Sequence, residues 1–145
     1  MKIPTILTML AFSVTVASAQ KLKEEQVPSK VKESFQKKYP DTKAKWEKED
    51  ADYEAEFKWT NIETSAVFDG NGLFKESEQE IKIVELPEKI KEYCVRNFAG
   101  YELKEAAKIT EESGIIMYEA EMRKGEEKFD VIFDGKGNFI KKSVL

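Results

Sequence analysis

Histidine is absent from the 145 residues, and cysteine occurs once, at Cys94. The first absence removes the usual general base of serine and cysteine hydrolases, and the two together remove the side chains that build most zinc sites. No Gly-x-x-x-x-Gly-Lys segment and no Gly-x-Gly-x-x-Gly segment occurs, so the common nucleotide and dinucleotide fingerprints are missing. Lysine and arginine number 24 against 28 acidic residues, a net charge of −4 with no basic cluster. That distribution opposes nucleic-acid binding, which relies on concentrated positive charge. No cofactor is expected, and enzymatic activity is not expected.

Long apolar runs are also scarce, and the one present is short. Residues 6–16 are mostly apolar, Lys2 is the only charge before them, and Ala17-Ser18-Ala19 supplies the small-x-small pattern of a signal-peptidase site. A membrane span needs about 20 apolar residues. Residues 1–19 therefore read as a cleaved signal peptide, with Gln20 as the mature start, no stable membrane anchoring after cleavage, and a periplasmic or secreted location. Removing Lys2 leaves 24 − 1 = 23 basic side chains against 28 acidic ones, a net −5.

A single cysteine cannot form an internal disulfide, although an exported protein would permit one. Ile90, Cys94 and Phe98 recur at i, i+4 and i+8, which places Cys94 on the apolar stripe of a helix as a small core residue.

What the chain does contain is an internal repeat. The segment 27–35, Val-Pro-Ser-Lys-Val-Lys-Glu-Ser-Phe, lies over 86–94, Leu-Pro-Glu-Lys-Ile-Lys-Glu-Tyr-Cys, at an offset of 59. Tyr53-Glu-Ala-Glu-Phe57 lies over Tyr118-Glu-Ala-Glu-Met122, and Phe68-Asp-Gly-Asn-Gly72 over Phe133-Asp-Gly-Lys-Gly137, both at an offset of 65. The six extra residues of the second copy fall between Phe98 and Tyr118.

Proline suits the first turn of a helix, so helices are expected over residues 28–39 and 87–98, ending at Pro40 and near Gly100. The remainder alternates with period two, the signature of strands. Tyr53, Ala55 and Phe57 face one way and Glu54, Glu56 and Lys58 the other; Tyr118, Ala120 and Met122 repeat this against Glu119, Glu121 and Arg123. Phe129, Val131 and Phe133 continue the apolar side after a turn at Lys124-Gly125, and the Asp-Gly-x-Gly segments suit hairpins. The apolar side should meet the helices and the charged side should be wet. The fold class is α+β, with two tandem repeats over residues 20–84 and 85–145, each one helix followed by an antiparallel sheet of about four strands.

The proline-led helix, Tyr39-Pro40, Trp46, Tyr53-Glu-Ala-Glu-Phe57 and Phe68-Asp-Gly-Asn-Gly72 together resemble the PepSY-like, beta-lactamase-inhibitor-protein-like family. Its members are small exported bacterial proteins, many from the Bacteroidetes, usually with two tandem copies. The resemblance spans residues 26–145 and implies inhibitor-like or interaction roles. The second copy departs from it: Ala106 or Ala107 stands near the place of Trp46, and Gly100 near that of Asp41.

Three chemical alternatives fit the residues less well. Asp69, Asn71 and Glu80 fall at positions 1, 3 and 12 of an EF-hand-like loop, but Leu73 and Phe74 occupy positions 5 and 6, where a ligand and a glycine are required. Counted from Asp134, the second copy has Lys136 at position 3 and Leu145 at position 12. The acidic stretch Glu47, Glu49, Asp50, Asp52, Glu54 and Glu56 is interspersed with lysines and reads as a solvated strand face. A carboxylate pair for glycoside hydrolysis needs a cleft, for which two thin layers leave little material.

The leading functional expectation is a non-catalytic module that binds an unknown protein of the cell envelope through the sheet face away from the helices. Candidate contact residues are Trp59, Val67, Ile132 and Trp46. Trp59 aligns with Lys124 beside a turn, so it is either an exposed tip or folded back over the sheet edge. Val67 and Ile132 point opposite to Phe68 and Phe133, on the charged side. Trp46 is either a contact or a core cover. The alternative function is a housekeeping or ligand-sensing envelope domain whose apolar interior between the two repeats accepts a small apolar molecule.

Overall fold

The computed structural model describes residues 19–144, so the expected signal peptide, Ala19 apart, lies outside the described residues. Nine strands and two helices follow one another in a simple order. Strand β1 (Gln20–Leu22) leads through a single 3-10 turn (Glu24–Gln26) into helix α1 (Ser29–Lys38). Then come β2 (Lys45–Glu49), β3 (Asp52–Trp59), β4 (Ile62–Phe68) and β5 (Phe74–Ile81). A second 3-10 turn (Ile83–Glu85) precedes α2 (Glu88–Asn97), β6 (Glu102–Glu111), β7 (Ile116–Lys124), β8 (Glu127–Asp134) and β9 (Phe139–Val144).

Every strand pairs antiparallel with the next, giving one sheet in chain order. The expectation of a separate sheet of about four strands per half is corrected here, because β5 also pairs with β6, with Glu76 opposite Glu111 and Ile81 opposite Ala106. Period-two alternation identifies strands but not their partners, and a neighbouring strand satisfies backbone groups that a free edge would leave open. The end of β5 stands to the second half as β1 stands to the first. Leu22 is opposite Trp46 and Ile81 is opposite Ala106, each just before a 3-10 turn and a proline-capped helix.

Each helix begins one residue after its proline, with Pro28 and Pro87 as N-caps. Proline's missing N–H costs nothing there, because a helix start has no intrahelical acceptor for it. The exits also match. Asp41 and Gly100 both take positive φ, at 57° and 84°, which glycine adopts freely and aspartate tolerates. The departure at Gly100 therefore leaves the turn unchanged.

Both helices pack on the same side of the sheet over two adjoining cores. In the first, Phe35 meets Trp46, Phe57 and Phe68 edge-on at 5.3, 5.0 and 6.4 Å. In the second, Cys94, Ala106 and Met122 occupy the corresponding places and are smaller. Phe129, where the first half has Thr64, adds a ring to this core and packs against Phe98 and Tyr101 at 5.1 and 5.0 Å. Interiors are packed near crystal density, so a small residue at one position requires a large one nearby.

Candidate functional site

The sheet face away from the helices is built by strand register alone. Reading across the strands, one row runs Lys21, Glu47, Glu54, Val67, Glu76, Glu111. The next runs Lys45, Glu56, Ser65, Glu78, Ile109, Met117, Asp134. A third runs Glu80, Ala107, Glu119, Ile132, Lys141, and a fourth Glu105, Glu121, Asp130, Ser143. Glutamates thus stand directly opposite one another at Glu47 and Glu54, Glu76 and Glu111, and Glu105 and Glu121, with Glu121 also opposite Asp130. Such like-charge pairs destabilise a sheet.

The expectation that this side is largely wet is corrected for Glu54, Glu119 and Glu121, which are buried, as are Glu78 and Asp130. All five lie on interior strands, flanked in register on both sides. Burial, reinforced by Glu49, Glu56, Glu78 and Glu47, pushes the Glu54 carboxyl up to about 9. Burial, then the neighbouring Asp130 and Glu76 charges, raises Glu78. Glu119 is raised by burial and then by Glu78, Asp130, Glu121 and Glu105. Asp130 is raised by burial and by Glu121, with Lys128 opposing. One carboxyl oxygen on each of Glu54, Glu78 and Glu119 lies buried without a hydrogen-bond partner. Of the cations on this part of the face, Arg123 and Lys128 both pair with Glu121, and Lys141 stands opposite Ile132 at the end of the third row. Beside the acids, Ile109, Met117 and Ile132 form a small apolar cluster.

The four contact candidates separate into two pairs. Val67, half-buried, and Ile132, buried, are on this face. Trp46 faces the helices and is buried against Phe35. Trp59 ends β3 half-buried, with its ring edge-on to Tyr39 at 5.2 Å, so of its two readings the folded-back one holds. The expected exposed tip is carried instead by Thr60 and Asn61, whose positive φ values of 50° and 66° suit a two-residue hairpin turn.

The Asp-Gly-x-Gly loops are closed on themselves. The Asp69 carboxylate accepts hydrogen bonds from the Asn71 and Leu73 N–H groups, and Asp134 accepts from Lys136 and Asn138. Those oxygens serve the turn. Among the described residues, no three Asp, Glu or Cys side chains converge to hold a metal ion. A cleft of about 420 Å³ beside α1 is lined by Phe35 and Trp46 but also by Glu24, Lys32, Asp41 and Lys43. Cys94 is buried, and burial pushes its thiol up to about 11, far from the reactive range.

The missed feature is the acidic face itself. Its members were visible as the outward glutamates of the paired Tyr-Glu-Ala-Glu segments, but register across five strands was needed to gather them. No helix among the described residues is long and apolar enough to cross a membrane.

A family model provisionally described as beta-lactamase-inhibitor-like, PepSY-like, matches residues 14–75 and 53–141. Solved structures of similar fold include a DUF2874 family protein from Bacteroides uniformis, 17% identical over 81% of this chain and 88% of that one, TM-score 0.71. A Bacteroides eggerthii protein provisionally described as periplasmic is 16% identical over 81% and 88%, TM-score 0.73. A BLIP-like protein from Bacteroides fragilis is 20% identical over 81% and 86%, TM-score 0.64. At these identities the likeness is one of fold. No curated protein matches.

Proposed function

Since the chain belongs to the PepSY-like family, we propose that it is a non-catalytic periplasmic or secreted module, built from two copies of one unit, that binds a protein through its helix-free sheet face. The observation that carries this reading is the set of like-charge pairs in register on that face, Glu76 with Glu111 and Glu105 with Glu121. A core does not need them and they oppose folding. Departures from local stability rules concentrate where a surface has another task. The expected export signal supports the location, as does the provisional periplasmic description of the Bacteroides eggerthii relative in fold. The alternative, an apolar-molecule sensor, finds less support, because the cleft beside α1 is rimmed by Glu24, Lys32, Asp41 and Lys43.

The test is Val67→Arg, which changes a half-buried side chain on the proposed face, compared with Trp59→Ala, which alters the opposite side. Crosslinking in the cell envelope should recover one partner with the wild-type chain and with Trp59→Ala, and lose it with Val67→Arg at an unchanged melting temperature. Recovery unaffected by Val67→Arg sinks the reading. A panel of beta-lactamases, assayed with the pure protein, tests the inhibitory form suggested by the BLIP-like relative in fold.

A further inference from the structure

We infer that the seam between β5 and β6, which joins the two halves, is a proton-controlled joint: it stays closed while the acids around it keep their protons and opens as they lose them, independently of what the face binds. The placement of residues at the seam carries this. The two large cores do not continue through it, since the first reaches Phe74 in chain order and the second starts at Ile81. Towards the helices, Ser77 is opposite Thr110 and Gln79 opposite Lys108, and only Ile81 with Ala106 is an apolar pair. Towards the other face, β5 presents Glu76, Glu78 and Glu80 against Glu111, Ile109 and Ala107 of β6. Among the described residues, no salt bridge joins β5 to β6. Backbone pairing therefore does most to hold the seam, and the Glu112 N–H extends it by donating to the Lys75 carbonyl at 2.8 Å.

Glu78 and Glu119 are buried on either side of β6, which places only Ala107 and Ile109 opposite them. The acids on the neighbouring strands are Glu54 and Glu56 of β3, and Glu105 and Glu111 of β6. Glu121, Asp130 and Asp134 follow on β7 and β8, while β4 offers the neutral Ser65 and Val67. Cations are fewer. Arg123 and Lys128 pair with Glu121, Lys58 pairs with Glu63, and Lys141 is opposite Ile132. Lys21 and Lys45 stand at the far edge beside Glu47 and Glu56. Burial, then Asp130 and Glu76, raises Glu78; burial, then Glu78 and Asp130, raises Glu119. The closed seam thus holds protons that a hydrated, open seam releases. Its stability is fully present in the ordinary carboxyl range and is lost as pH rises through the raised values. A seam with little apolar packing on either side is where a sheet parts before its cores unfold.

Hydrogen exchange of the purified chain reads the joint, followed by mass spectrometry at about pH 6 and about pH 9 and corrected for the intrinsic exchange rate. At the higher pH, β5 and β6 should lose at least about tenfold in protection relative to β3 and β8. The double variant Glu78→Gln, Glu119→Gln keeps the shape of both side chains and cannot ionise, so it should retain that protection. Should it fail to fold, Glu76→Gln removes the charge opposite Glu111 at a half-buried position and should recover part of the loss. Protection of β5 and β6 that does not change with pH, an equal loss over all strands, or a loss as large in the folded variants as in the wild-type chain overturns the inference.

Discussion

The ring of Trp46 meets that of Phe35 edge-on at 5.3 Å, joining β2 to α1 at the centre of the first core. In the second half the corresponding places are held by the smaller Ala106 and Cys94, in a core that also contains Phe129. The two halves therefore answer differently to the same kind of substitution. Trp46→Ala should cost about 3–5 kcal/mol, since neither transfer nor cavity terms are compensated. The reverse change, Ala106→Trp, should also destabilise, by about 1–3 kcal/mol, because it forces a large ring into the place of a buried alanine. Urea unfolding of both variants measures the difference.

Gly72 carries a φ of +84°, and a Cβ there would stand 2.5 Å from the Lys30 carbonyl oxygen of α1. The β4–β5 loop can lie against the helix only because the side chain is absent. Gly72→Ala should lower stability by at least about 2 kcal/mol, combining backbone strain with a clash. Gly125, with a φ of +58° and open space around it, should lose only about 1 kcal/mol when changed to alanine. Paired thermal melts would show the gap, and equal shifts would refute the close packing of the Gly72 loop.

Glu54 titrates in the folded protein near 9, raised from 4.5 by burial and by the charges of Glu49, Glu56, Glu78 and Glu47. The folded state therefore holds a proton that the unfolded chain has released. Its contribution is fully present below about 4.5 and is lost as pH rises through about 9. Glu78, Glu119 and Asp130 are raised in the same direction and add to the slope. Stability should thus decline between mildly acidic and mildly alkaline pH, and Glu54→Gln should flatten that decline. Chemical unfolding at a series of pH values is the measurement, and a slope unaffected by the amide would contradict it.

Cys94 is buried on α2 and its thiol is held well above neutrality. Thiol reagents should label it at the rate of unfolding, not at the rate of a free thiol. Labelling in native buffer compared with labelling in urea checks this directly.

Much of the fold could be read from local pattern. Pro28 and Pro87 marked helix starts to within one residue, and the alternation around Tyr53 and Tyr118 assigned Ala55 and Ala120 to the core, where both are buried. These features depend on backbone geometry within a few residues. The site was less legible. Val67 and Ile132 were placed on the helix-free face by parity. Trp59 could not be decided, because its contact with Tyr39 links residues twenty positions apart.

Local pattern alone marked the two helices, the strands and the side of the sheet on which strand residues such as Ala55 and Ala120 lie, because each follows from proline chemistry or a two-residue period. Tertiary structure alone decided that β5 joins β6 into one nine-stranded sheet, and that Glu78, Glu119 and Asp130, from β5, β7 and β8, share one buried acidic face. Both depend on which strands pair and in which register, and those pairings are set by long-range contacts that no local period records.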